Sequence, residues 1–195
     1  MIYVSTDYVF SGKKGMYTET DETKPINHYG KTKLEGEKIV RNLMPDWCIA
    51  RPSVIYGSVP AAGKTNFALW VIDKLRKGEQ IKIITDQYVS PTINTNLAEM
   101  ILEVAQRRLT GIYHLSGATP INRYDFACLI AETFDLNKNL IKPAKSEEMN
   151  WNAQRPKNTS LNIEKASRTL TKKPLKIEDA LNKLKEEITQ QPIRT

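Results

Sequence analysis

Apolar and polar positions along the chain follow two alternating periods. Short apolar runs at 1–5 and 47–56 (Trp-Cys-Ile-Ala-Arg-Pro-Ser-Val-Ile-Tyr) read as strands, and the stretch from about 28 to 41 between them has helical spacing. Together they predict a β-α-β unit. Strands in such units are normally flanked by neighbours and covered on both faces, yet nothing precedes the first one here, so the chain is expected to begin in mid-fold. After Gly57 a Gly/Ala/Pro loop leads into an amphipathic helix over about 65–77, with Phe67, Trp70, Val71 and Leu75 on its apolar side and Gly78 as its stop. A strand at Ile81–Ile84, a helix near 94–108, a strand at 112–115 and a helix at about 122–134 continue the alternation. A polar loop is expected through 142–160, a last helix at 177–188, and a frayed tail from Gln190 to Thr195.

Composition narrows the class. With 195 residues, 40% of them hydrophobic and 26% charged, the chain can bury a real core as one domain, or as one domain with a small lobe. No window approaches the eighteen apolar residues of a membrane span, and Ile2-Tyr3-Val4 stands where a secretory signal would carry its basic stretch. A cytoplasmic protein with no membrane partner is therefore expected. Cys48 and Cys128 sit among apolar neighbours, and neither they nor His28 and His114 have partners at metal-ligand spacing, so no metal site is expected. The formal charge of +7 is scattered among acids in 31–41 and 163–187 without interleaved aromatics, which fits a solvated surface rather than nucleic-acid binding. The excess also suits an anionic ligand such as a diphosphate.

Candidate chemistry begins at Tyr29 and Lys33, which lie four apart and so share one face of the predicted helix. A phenol is a poor acid near neutrality, and a neighbouring ammonium favours its ionised form, as reduction of a ketone requires of a proton donor. The spacing alone also occurs on solvated helices. Ser5-Thr6-Asp7-Tyr8-Val9-Phe10 follows the first strand at the carboxyl edge of a parallel sheet, where ligands bind, and Thr6 or Ser5 could hydrogen-bond a substrate carbonyl. The competing reading is a strand-capping cluster that satisfies backbone groups. Gly57-Ser-Val-Pro-Ala-Ala-Gly63-Lys64-Thr65 lies between a strand and a helix, but five residues separate its glycines where a phosphate-binding loop needs four.

Ser5-Thr-Asp-Tyr-Val-Phe-x-Gly12, Tyr17-x-Glu19-x-Asp21 and Pro25-x-Asn27-x-Tyr29-Gly-Lys-Thr-Lys33-Leu-Glu-Gly-Glu37 resemble the extended short-chain dehydrogenase/reductase superfamily, and within it the dTDP-4-dehydrorhamnose reductases. Arg51-Pro-Ser-Val-Ile-Tyr56, Asp86-Gln87 to Pro91-Thr92, Tyr113-His-Leu-Ser-Gly117, Tyr124-Asp-Phe-Ala127 and Arg155-Pro-x-Asn-x-Ser-Leu161 extend the likeness over nearly the whole chain. The resemblance implies an α/β fold, the second half of a Rossmann-like, doubly wound parallel sheet over 1–115 with interleaved substrate segments, and a small substrate-binding lobe over 116–195. It implies Thr6, Tyr29 and Lys33 as catalytic residues, with Ser5, Thr6, Tyr29, Lys33, Arg51, Pro52 and Ser53 near NADPH or NADH. Asp7, Tyr8, Asp86, Gln87, Thr92 and Arg155 would border the dTDP-sugar. The oligomeric state stays open, a homodimer among the arrangements.

Two departures stand out. No glycine-rich strand-turn-helix occurs, although the superfamily uses one to take the cofactor's pyrophosphate at a helix N-terminus, so a fragment is expected and the 195 residues alone are expected to be inactive. Tyr88-Val89-Ser90 also replaces a glycine-containing turn. Residues 29–37 and 153–158 resemble, in addition, the regulatory β subunit of methionine adenosyltransferase. Asp7, an acid beside Thr6, keeps a nucleotide-sugar epimerase or dehydratase open as a third reading.

Overall fold

The computed structural model describes residues 1–60 and 63–190. In chain order they form β1 (Ile2–Val4), α1 (His28–Leu43), β2 (Cys48–Ala50), β3 (Ile55–Tyr56), α2 (Phe67–Arg76), β4 (Ile81–Ile84), β5 (Tyr88–Val89) and β6 (Thr92–Ile93). Then come α3 (Asn94–Gln106), β7 (Gly111–Tyr113), β8 (Ile121–Asn122), α4 (Arg123–Thr133), β9 (Ile141–Ala144), α5 (Glu164–Thr169) and α6 (Ile177–Gln190). The expected β-α-β unit is present: β1 and β2 run parallel with Ile2 opposite Cys48, and β7 adds to the other edge of β2, also parallel. Parallel pairs β3–β6 and β4–β9 and an antiparallel β5–β8 pair complete the strands. The chain is thus α/β, as its alternating periods predict.

Two expectations need correcting. The single strand over 47–56 is split, because Pro52 has no amide hydrogen and Val54 takes a left-handed conformation with φ 40°. The loop expected through 142–160 begins with a strand, β9, which lies in register with β4 so that Ile81 faces Ile141. Lys142 and Pro143 hid its period. Proline is tolerated there because β9 has a partner strand on one side only. Gln190 ends α6 in ordered helix, while the rest of the expected tail, 191–195, lies outside the described residues, as do residues 61 and 62 of the loop after Gly57.

One apolar core joins α2, α4, α6, β4 and β9 around Val71, Phe126, Ile130, Leu181 and Leu184, drawing on both sides of residue 115. Each such fully buried side chain contributes roughly 1.5–3 kcal/mol. A second core packs α3 on β2 and β7 through Met100, Val104, Tyr113 and Leu115. Helix α1 approaches the sheet differently: its buried residues are Gly30, Glu37 and Val40. A Cβ on Gly30 would lie 2.2 Å from the Tyr8 carbonyl oxygen, and one on Gly36 would lie 2.2 Å from the Tyr3 hydroxyl. Glycine at both positions lets the helix backbone pack closely on the Tyr8 carbonyl beyond β1 and on the Tyr3 side chain. Among the described residues no helix is long and apolar enough to cross a membrane.

Candidate active site

Beyond Val4 the chain stays beside β2 through Ser5 N–H to Ala50 O (2.7 Å) and Asp7 N–H to Pro52 O (3.0 Å), then turns at Asp7–Val9. Thr6 caps that turn, its Oγ1 accepting from the Tyr8 amide at 3.3 Å and donating to Asp7 Oδ1 at 3.0 Å. Across from it α1 starts at Asn27, whose Oδ1 accepts from the Gly30 amide at 2.9 Å. Tyr29 is 51% exposed and meets the Tyr8 ring edge-on, with centroids 6.0 Å apart. Lys33, one turn on, donates from Nζ to the Val4 carbonyl at 3.0 Å and lies 5.3 Å from the Tyr3 ring centre. Thr6, Tyr29 and Lys33 therefore gather at the carboxyl end of β1. Among the described residues no hydrogen bond joins Lys33 to Tyr29, and the ammonium keeps two of its three protons for other partners.

Beneath this surface lie residues expected at the ligands. Arg51 and Ser5, expected beside the cofactor, are instead 2% and 3% exposed. The Arg51 guanidinium grips Glu37 through Nε (2.9 Å) and Nη2 (2.6 Å), and Ser5 Oγ donates to the same carboxylate at 2.5 Å. A buried charge needs a paired counter-charge, which is why Arg51 turns inward. Ser53 Oγ donates to Asp7 Oδ2 at 2.9 Å and Pro52 O accepts from the Asp7 amide, so both brace the strand end. Asp7, expected at the substrate, is buried with both oxygens engaged, Thr159 Oγ1 donating to Oδ2 at 2.5 Å. Burial raises its pKa, opposed by the hydroxyls of Thr159, Ser53 and Thr6. Its oxygens are thus committed to the hydroxyls of Thr6, Ser53 and Thr159. Thr92 is likewise buried, its hydroxyl donating to Ser53 O at 2.6 Å.

The remaining expected residues border open space. Tyr8, Tyr29 and Arg155 line a cavity of about 600 Å³ with Asn27 and Trp151. Gln87 and Arg155 line a second, of about 300 Å³, with Phe67, Trp70, Lys82, Arg123 and Trp151. Asp86 borders a third beside Lys13, Lys157 and, again, Trp151 and Arg155. The Arg155 guanidinium sits 4.6 Å from the Trp151 ring centre, and that of Arg123 5.0 Å from the Phe67 ring centre. Burial raises the Tyr8 pKa, an effect Asp7 reinforces and Arg123 and Arg155 oppose. Asn27, Glu37, Phe67, Trp70, Arg123 and Trp151 were not picked out as functional by sequence reasoning. Only the helical face of Phe67 and Trp70 and the motifs around Asn27 and Glu37 were visible there.

Behind the site His114 is fully buried, edge-on to Phe10 at 5.7 Å, with Nδ1 3.1 Å from Asn162 O. Burial, assisted by the Arg51 charge, pushes its pKa down from 6.5 to about 3. The folded chain thus keeps His114 neutral where the unfolded chain protonates it. Its contribution is complete above pH 6.5 and is lost as pH falls toward about 3, at roughly 1.4 kcal/mol per pH unit. Urea denaturation at pH 7 and pH 5 should show a smaller loss of stability for His114→Gln than for the wild type. Equal losses would assign the acid sensitivity elsewhere.

A parallel sheet with threonine, tyrosine and lysine collected at the carboxyl end of one strand, beside a cleft rich in cations and aromatics, defines a short-chain dehydrogenase/reductase type of α/β protein. The chain belongs to the RmlD substrate binding domain family, whose model matches residues 1–190. It is 35% identical over 167 residues to the probable low-salt glycan biosynthesis reductase Agl14 of Haloferax volcanii, covering 83% of this chain and 55% of that protein. It is 33% identical over 171 residues to methionine adenosyltransferase 2 subunit beta of Rattus norvegicus, covering 85% and 51%. Its fold matches a crystal structure of dTDP-4-dehydrorhamnose reductase from Bacillus anthracis in complex with NADP, with a TM-score of 0.88 and 30% identity over 95% of this chain and 65% of that one. The chain thus spans about half the length of these curated relatives.

Proposed function

We propose that these residues form the proton-donating and substrate-binding part of a reductase that converts the 4-keto group of a dTDP-6-deoxyhexose to an alcohol, using NADPH or NADH. The observation that carries the reading is the half-exposed Tyr29 phenol at the mouth of a cavity, next to a second cavity lined by cations and aromatic rings, with Thr6, 6% exposed, two residues from Tyr8 in the wall of the first. Arg123, Arg155 and Lys82 suit a diphosphate, and Phe67, Trp70 and Trp151 suit a nucleobase. The nicotinamide end of a cofactor fits this chain as well. Tyr29 is exposed, Lys33 has free protons for ribose hydroxyls, and Val4 offers a 39% exposed apolar surface at the strand end. When bound, the reduced nicotinamide supplies hydride to the carbonyl carbon and is itself oxidised. Tyr29 gives its hydroxyl proton to the carbonyl oxygen, so the C=O bond becomes C–OH. Thr6 orients that oxygen by turning its own proton from Asp7 to the substrate.

The test supplies dTDP-4-keto-6-deoxysugar and NADPH or NADH to a polypeptide that carries residues 1–195 together with a dinucleotide-pyrophosphate site. Cofactor oxidation matched by alcohol formation is expected. Redox-neutral conversion of the sugar would point to an epimerase or dehydratase. A second reading, a regulatory subunit, is favoured by the 33% identity to methionine adenosyltransferase 2 subunit beta. It predicts no turnover with any keto-sugar and binding to a methionine adenosyltransferase instead.

A further inference from the structure

Three cavities meet on one stretch of chain. Trp151 and Arg155 line all of them, so residues 150–155 form the wall between the mouth at Tyr29 and the two cavities beside it. This strap carries little fixed structure of its own: residues 152–155 are exposed. Its flanks are held, with Ser146 on Asp86 through N–H (2.9 Å) and Oγ (2.7 Å), and Pro156 O accepting from Gln87 Nε2 at 3.3 Å. Between the flanks, among the described residues, one hydrogen bond joins the strap to another element: Asn27 Nδ2 donates to Gln154 O at 3.0 Å.

Asn27 is also the N-cap of the helix that carries Tyr29 and Lys33, its Oδ1 accepting from Gly30 N–H at 2.9 Å. One end of the amide meets a donor and the other an acceptor, so only one orientation satisfies both. A Cβ on Gly30 would meet the Tyr8 carbonyl oxygen at 2.2 Å, so the helix start packs closely on the turn that follows β1. Asn27 is therefore a fixed point, and the strap hangs from it.

We propose that Asn27 is a positioning residue that latches the strap 150–155 to the catalytic helix, holding Trp151 and Arg155 in place as the substrate-side wall of the cleft. The ligand half of this inference rests on the sugar-nucleotide reading above; the latch does not. With the amide donor in place, Trp151 is held half-buried against Arg155 and a nucleotide meets a preformed wall. Without it, a ligand must order the strap on binding.

Asn27→Asp separates the two tasks of the residue. Aspartate caps a helix as well as asparagine does, so Gly30 keeps its acceptor, but an oxygen now faces the Gln154 carbonyl and the latch is gone. In the 195-residue chain, N27D is expected to melt at the wild-type temperature. With Trp47 and Trp70 replaced by phenylalanine, leaving Trp151 as the one tryptophan, acrylamide quenching is expected to be stronger in N27D than with Asn27 retained. With all tryptophans present, calorimetry is expected to show dTDP binding weakened about tenfold, the scale of one hydrogen bond. Asn27→Ala should add a lower melting temperature to the same opening, because it also loses the cap. Unchanged Trp151 quenching in N27D would overturn the latch. A fall in melting temperature in both variants with unchanged quenching would overturn it too, reducing Asn27 to a helix cap. If wild-type chain fails to bind dTDP, the sugar-nucleotide reading falls, and Trp151 quenching still decides the latch.

Discussion

In the polypeptide that joins residues 1–195 to a dinucleotide-pyrophosphate site, the proposed reductase reading expects Tyr29→Phe to lower kcat for keto-sugar reduction on the order of 10²- to 10⁴-fold, the usual contribution of a positioned general acid, while the fold stays intact. The change removes one oxygen. The phenylalanine ring can keep the edge-on contact with Tyr8, and Tyr29 is already 51% exposed, so little buried surface is lost. Stability should move by no more than about 0.5 kcal/mol, as for most surface substitutions. KM for the sugar nucleotide should stay within about threefold, since the phenol's contribution grows as charge develops on the carbonyl oxygen rather than in the bound ground state. Steady-state kinetics beside a thermal melt check this. A variant that keeps more than about a tenth of the wild-type kcat would mean that another group delivers the proton.

Glu37→Leu should cost about 3–5 kcal/mol of stability, the penalty for leaving a buried charge without its partner. Arg51 is 2% exposed and holds Glu37 through two nitrogens, so the lone guanidinium would have neither water nor counter-charge. Ser5 would lose its acceptor as well. The effect reaches the site because Glu37 fixes α1 to the ends of β1 and β2, and α1 carries Tyr29 and Lys33. The double variant Glu37→Leu/Arg51→Met should recover much of the loss, since an apolar pair has no charge to desolvate. Urea denaturation should show the midpoint fall with an unchanged slope in the single variant and rise again in the double. A single-variant loss below about 1 kcal/mol would show that the ion pair does not secure the helix.

Much of the fold is legible in the sequence. The helices at 28–41, 65–77, 94–108, 122–134 and 177–188 correspond to α1, α2, α3, α4 and α6 with small shifts at the ends. Each has clear helical spacing or a capping asparagine, as at Asn66 and Asn122. The strand β9 was not legible, because Lys142 and Pro143 interrupt its apolar run and its place depends on β4, some sixty residues earlier in the chain. The short helix α5 was missed for a similar reason: it spans six residues and has no side-chain cap.

At the site, the sequence by itself determined the pieces that act through local spacing. Tyr29 and Lys33 share a helical face because they are four apart, and Thr6 lies at a strand end because an apolar run stops there. Only the tertiary structure decided which polar groups face the cleft and which hold it together. Arg51, Asp7 and Ser53 looked like ligand contacts, but Glu37, Thr159 and Ser90 bury them as partners. Trp151, Arg123 and Phe67 looked like ordinary residues and line the cavities. The reason is that a side chain's hydrogen-bond type is written in the sequence, whereas its partner is chosen by burial. Away from water a charge or hydroxyl must be satisfied by whatever the fold brings near, and those groups come from positions far apart along the chain.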